Sequence, residues 1–151
     1  MSPAGDPVFD ALRDYLEREY KAMLDMLEQL VNIDSGSYCK EGVDRCGRIA
    51  AAQLEGLGFD VRVVEERDRG NHVLARRKGK GGKQLLLSAH LDTVWPAGTA
   101  AERPFAREGN YLYGPGVGDM KAGIVQLVYA LKALEAAGLE SPPVAVFLTG
   151  D

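Results

Sequence analysis

Several kinds of protein are excluded by what this 151-residue chain has little of: cysteine, long apolar runs and surplus positive charge. Its two cysteines, Cys39 and Cys46, have six residues between them, too many for a C-x-x-C redox pair, and no others exist to complete a zinc knuckle. Cys46 is expected in the core and Cys39 in a loop, with nothing beyond their number to support a disulfide. The stretch Met1 to Pro7 lacks the apolar core of a signal peptide, and no later segment approaches the ~20 apolar residues of a membrane span. No membrane partner and a cytoplasmic location are therefore expected. A net charge of −4 creates no basic field to attract nucleic acid or an anionic membrane. The one basic cluster, Arg76 to Lys83, is interspersed with glycine and reads as a solvated hairpin loop. Internal repeats and low-complexity segments are absent. What is present, 46% hydrophobic and 26% charged residues, is the composition of one ordinary globular domain over residues 1–151.

Periodicity supplies the elements. Phe9, Leu12, Leu16, Tyr20, Met23, Leu27 and Leu30 form the i, i+3/i+4 stripe of a long amphipathic helix between Pro7 and Val31. A second stripe, Val43, Cys46, Ile49, Ala50, Leu54 and Leu57, closes on Gly58, a suitable left-handed residue after a helix. Phe59 to Glu65 alternates as a half-buried strand, and Val73 to Ala75 begins another. Leu85 to Ala89 is apolar on both faces, which predicts a central strand covered by helices. Residues 91–118 are rich in loop formers; a helix follows from about Met120 to Gly138, and Ser141-Pro142-Pro143 leads into a last strand, Val144 to Thr149. Interleaved helices and strands predict an α/β fold with three layers, α/β/α. Ligands of such sheets bind outside the carboxyl ends of the strands, where His90 and Gly150-Asp151 fall.

Two segments carry chemistry. The first is the strand end His90-Leu91-Asp92-Thr93-Val94. A zinc-ligating histidine usually donates its other ring N–H to a carboxylate that fixes tautomer and orientation, and residues two apart on a strand share a side. His90 and Asp92 fit this pairing, and equally fit a structural hydrogen bond without metal. The second is Gly114-Pro115-Gly116-Val117-Gly118-Asp119-Met120-Lys121-Ala122-Gly123. A dinucleotide fingerprint G-x-G-x-x-G would need glycine where Asp119 stands, and the phosphate-loop spacing fails because Lys121 does not follow a glycine. A nucleotide-binding domain is thereby disfavoured. Asp119 reads either as a helix cap or as a carboxylate bridging two cations in a hydrolytic site. Lys121 reads as a solvated or helix-start lysine, Gly123 as a close-packing glycine, and His72 as a loop or strand-edge residue.

Taken in order, an apolar strand, the His90 segment, a loop of about twenty residues, the Gly114 to Gly123 segment, a helix and a strand ending Thr149-Gly150-Asp151 resemble a known family. It is the zinc-dependent peptidase family of glutamate carboxypeptidase, acetylornithine deacetylase and succinyl-diaminopimelate desuccinylase. The likeness extends through Leu30 to Ser37, and is strongest to the glutamate carboxypeptidase branch through Pro104-Phe105 and Glu108 to Gly116. The resemblance implies that His90 ligates one zinc, that Asp92 orients His90, that Asp119 bridges two zincs, and that the Asp119–Met120 peptide is cis. It implies a peptide or N-acyl amino acid as substrate.

In the family, two consecutive glutamates, a general base and a zinc ligand, follow the last strand, and the chains are much longer. The resemblance therefore implies that residues 1–151 are the first half of a catalytic domain, without the lid or dimerisation domain. A bridged zinc pair needs roughly five protein groups, and His90 and Asp119 are two. The expectations are weak zinc binding, negligible hydrolysis by this chain alone, and self-association through an exposed sheet edge. The rival from another class is a non-catalytic α/β binding or assembly module that keeps the scaffold.

Overall fold

A computed structural model describes residues 5–151; part of the Met1 to Pro7 stretch read above, residues 1–4, lies outside them. Helix α1 (Pro7–Val31) begins where the Asp6 carboxylate accepts from the Val8 N–H, with Pro7 supplying a preset first-turn φ. Its stripe buries Met26, Leu27, Leu30 and Val31. In α2 (Lys40–Gly56) the stripe buries Val43, Cys46, Ala50 and Leu54, and Gly58 follows with φ +73°. The other long helix is α4 (Ala122–Ala136), closed by Gly138 at φ +66°. Both cysteines are free, Cys46 buried and Cys39 half-buried at the start of α2.

Four strands form one sheet: β1 (Asp60–Val64), β2 (His72–Arg77), β3 (Leu85–His90) and β6 (Val144–Thr149), in the order β1-β2-β6-β3. β1 and β2 are antiparallel, as are β2 and β6, while β3 runs parallel to β6 with Leu85 opposite Val144 and His90 opposite Thr149. The α/β class is as expected. Two local expectations are corrected. The central strand is β6, not β3, which among the described residues has a neighbour on one side only; Leu86 in β3 is 63% exposed. A continuous apolar run looks the same whether both flanks are paired or one is open. The basic segment is no hairpin either, because β6 inserts between the two strands it connects; there Gly79 lies against the Ser141-Pro142 backbone.

Helices α2 and α4 touch each other and the sheet, so they cover the same face. That face carries Val73, Ala75, Val144, Val146, Leu148 and Ala89, all buried, and α1 packs outside α4. Alternation sends Leu74, Phe147, Leu86 and Val64 to the opposite face, where no helix of the described residues lies over them and Val64 is exposed. The loop-rich stretch holds a short helix, α3 (Thr99–Glu102), and a hairpin of β4 (Ala106–Glu108) and β5 (Tyr111–Tyr113) turning at Gly109.

Candidate metal centre

His90 ends β3; the next residue, Leu91, is fully buried and its N–H donates to the Thr149 carbonyl, continuing the pairing with β6. Asp92, two positions on, thereby lies on the same side as the imidazole. His90 Nδ1 lies 3.1 Å from both the Asp92 carboxylate Oδ1 and the Asp92 carbonyl oxygen, two acceptors that call for a proton on Nδ1. On the far side of the ring, Nε2 lies 3.0 Å from Asp119 Oδ1. The two carboxylates differ in setting: the Asp92 side chain is 12% exposed, that of Asp119 89%.

With the Nδ1 proton given to Asp92, a neutral ring turns a lone pair from Nε2 toward a carboxylate oxygen. Two acceptors at that distance repel unless a cation or a proton lies between them. Burial alone would disfavour a charged His90, but the hydrogen bonds to Asp119 and Asp92, with the Asp92 charge, outweigh it and raise the His90 pKa above its ordinary value. The pair is thus built to hold positive charge. Imidazole nitrogen and carboxylate oxygen are also the donors zinc takes, so the two side chains fit the ion. Among the described residues no group of three or more histidine, cysteine or acidic side chains is placed to hold a metal.

Asp119 is presented by a wide helical turn, Val117–Lys121, in which Asp119 (φ −134°) and Met120 leave helical geometry, and the Asp119–Met120 peptide is cis, as the resemblance implied. The helix-cap reading of Asp119 is not realised, because its side chain makes no capping hydrogen bond and turns to His90 instead. Of the two readings of Lys121, helix start holds, since it immediately precedes α4, but it is 1% exposed rather than solvated, and its Nζ donates to the Ile33 carbonyl at 2.9 Å. Burial holds its pKa below the ordinary lysine value. Gly123 sits tightly against the Met120 side chain, consistent with a packing glycine.

The segment Ile33 to Ser37 clasps these parts together. Thr93 N–H donates to the Ser35 carbonyl (2.8 Å), Ser37 N–H to the Thr93 carbonyl (3.1 Å), and the Ser37 hydroxyl to Asp92 Oδ2. The Asp34 carboxylate accepts from the Ala100 and Gly98 N–H groups, both at 2.8 Å, and these bonds lower its pKa. Sequence reasoning did not identify Ser37; the only signal was its place in the Leu30 to Ser37 stretch. His72 begins β2, and its Nδ1 accepts from the Gly150 N–H (2.9 Å) on the same rim as His90, with Thr149 between the two rings.

His90, Asp92 and Asp119 therefore converge on one cavity of about 340 Å³, also lined by Thr93, Trp95 and Gly114 to Gly118 residues. The model of peptidase family M20/M25/M40 matches residues 86–151, which contain all three. Carboxypeptidase G2 of Pseudomonas sp. (strain RS-16) is 39% identical over 123 residues, covering 80% of this chain and 30% of that protein. Succinyl-diaminopimelate desuccinylase of Gluconobacter oxydans (strain 621H) is 36% identical, covering 68% of this chain and 28% of that protein. Human carnosine dipeptidase 1 superposes with a TM-score of 0.82 at 19% identity, over 93% of this chain and 34% of that one. At such identity the superposition shows the fold. The chain spans about a third of the length of these proteins.

Proposed function

The chain belongs to peptidase family M20/M25/M40, and we propose that it carries the first part of a zinc-dependent, amide-hydrolysing site in which His90 and Asp119 are metal ligands and Asp92 holds His90 in place. The observation that carries this reading is the opposition of His90 Nε2 and Asp119 Oδ1 at 3.0 Å, with Nδ1 already committed to Asp92. Held by His90 and Asp119, a zinc ion would supply Lewis acidity toward a substrate carbonyl and a water. The protein's own contributions are distinct. Asp92 keeps the Nδ1 proton and leaves the Nε2 lone pair free. Asp119, largely in solvent, would hold metal through its carboxylate. The substrate of this reading is a peptide or N-acyl amino acid, for which the cavity beside Trp95 is the proposed seat.

These residues bring two ligands where a complete two-zinc site needs roughly five groups. The 151-residue chain alone is accordingly expected to bind zinc weakly and to hydrolyse a C-terminal glutamate peptide negligibly. Chelator-competition titration tests the ligand assignment: His90→Ala and Asp119→Ala should each abolish what zinc binding the chain has, while His72→Ala should not. Zinc binding unchanged in both site variants would sink the assignment, and robust turnover by the purified chain would refute the expected inactivity.

A further inference from the structure

We propose that Ser37 is a positioning residue for the candidate metal centre: by hydrogen-bonding Asp92 it holds His90 in the tautomer whose Nε2 lone pair faces Asp119. The inference deepens the metal-site reading and rests on it for its purpose, though not for its test.

The Asp92 carboxylate divides its two oxygens. Oδ1 takes the His90 Nδ1–H at 3.1 Å, and Oδ2 takes the Ser37 hydroxyl. A carboxylate bound through one oxygen can rotate about its χ2 bond, which is broad and soft. Bound through both, it is fixed, and Oδ1 stays where the imidazole meets it. This matters because the ring has two suitors. Asp119 Oδ1 stands at Nε2, and a proton moved to that nitrogen would satisfy Asp119 while filling the lone pair a metal requires. Asp92 prevails only while its oxygen remains in place.

Ser37 is itself held by backbone. Gly36 forms a parallel bridge with Thr93, flanked by the Thr93 N–H to Ser35 and Ser37 N–H to Thr93 bonds, so Ser37 reaches Asp92 from a short, strand-like pairing. Position 36 accepts no side chain, since a Cβ there would collide with the Trp95 carbonyl oxygen. Ser37 also lines a separate cavity of about 680 Å³ with Tyr38, Cys39 and Trp95, which leaves room for one added methyl group.

The test reads the tautomer directly in the metal-free chain, by 15N chemical shifts and two-bond N–H correlations of histidine-labelled protein at a pH where the ring is neutral. The chain has only two histidines, so His72 is the internal control. The unaltered chain should show His90 mainly as the Nδ1–H form. Ser37→Ala and Ser37→Cys, the latter nearly the same size but a weak donor, should each lower the ratio of Nδ1–H to Nε2–H roughly ten-fold. Ser37→Thr, which keeps the hydroxyl, should restore it. A His90 tautomer ratio unchanged in whichever of the alanine and cysteine variants folds, judged by unshifted His72 signals, overturns the proposal. So does an equal fall in the threonine variant. No ion enters the measurement, so failure of zinc to bind would count against the functional reading alone, and an unmoved tautomer against Ser37 alone.

Discussion

The molecule has an inner side and an open side, and the same residue types behave differently on each. Inside, the face of the sheet under α2 and α4 buries Val73, Ala75, Ala89, Val144, Val146 and Leu148, and the nearby Ile33 to Ser37 clasp gives Asp92 and Asp34 specific donors. Outside, Leu86 and Val64 face solvent and, among the described residues, β3 has an unpaired edge and the Asp119 carboxylate has His90 as its one hydrogen-bond partner. The lesson is a division of labour: the parts that orient the imidazole are set in the packed interior, and the part that would meet an ion stands in solvent.

Paired substitutions break or sharpen this contrast. The largest effect is expected inside: Leu54→Ala, at a fully buried position of α2, should cost about 2–5 kcal/mol in urea unfolding, against under about 1 kcal/mol for Leu86→Ala. Equal costs would abolish the distinction between the faces. Next comes Asp92→Asn, which keeps the shape but removes the negative charge; zinc affinity should fall about 10–100-fold, measured by competition with a chelator. Asp34→Asn should show its effect through pH. Because the Ala100 and Gly98 N–H bonds depress the Asp34 pKa, its contribution is present above the ordinary carboxylate range and is lost as pH falls through the lowered value. The stability gap between the parent and Asp34→Asn should therefore be widest near neutrality and close in acid; parallel curves would contradict this. The smallest change in stability, within about 0.5 kcal/mol, is expected for Leu86→Lys on the open side. If the β3 edge self-associates, the same substitution should bring the sedimentation mass at high concentration down toward the monomer.

The helices were readable because burial there repeats at helical spacing: Val43, Cys46, Ala50 and Leu54 are each fully buried. His90, Asp92 and Asp119 were readable because each lies in a short local motif. Three features were not. The open edge of β3 depends on which strands flank it, and Leu85 to Leu87 spell the same apolar run in either position. Lys121 belongs to a residue type that is almost never fully buried, so its peg to the Ile33 carbonyl had no local sign. Ser37 meets Asp92 across 55 positions of sequence, a contact that only the folded chain reveals.

The parallel ladder between β3 and β6 acts as an alignment device. Six residue pairs, Leu85 with Val144 through His90 with Thr149, fix the shear of β3, and among the described residues no second strand checks that setting from the other side. Side chains alternate along a strand, so a slip of one notch would swing the ring at position 90 toward the helices and carry it away from Asp119. Ala89, small and buried against the helix-covered face, and Leu91, locked inside just beyond the strand, oppose such a slip, for neither tolerates the opposite orientation without exposing apolar surface or colliding with the interior. The aim of a polar site on the rim is thus enforced by its two silent, greasy neighbours.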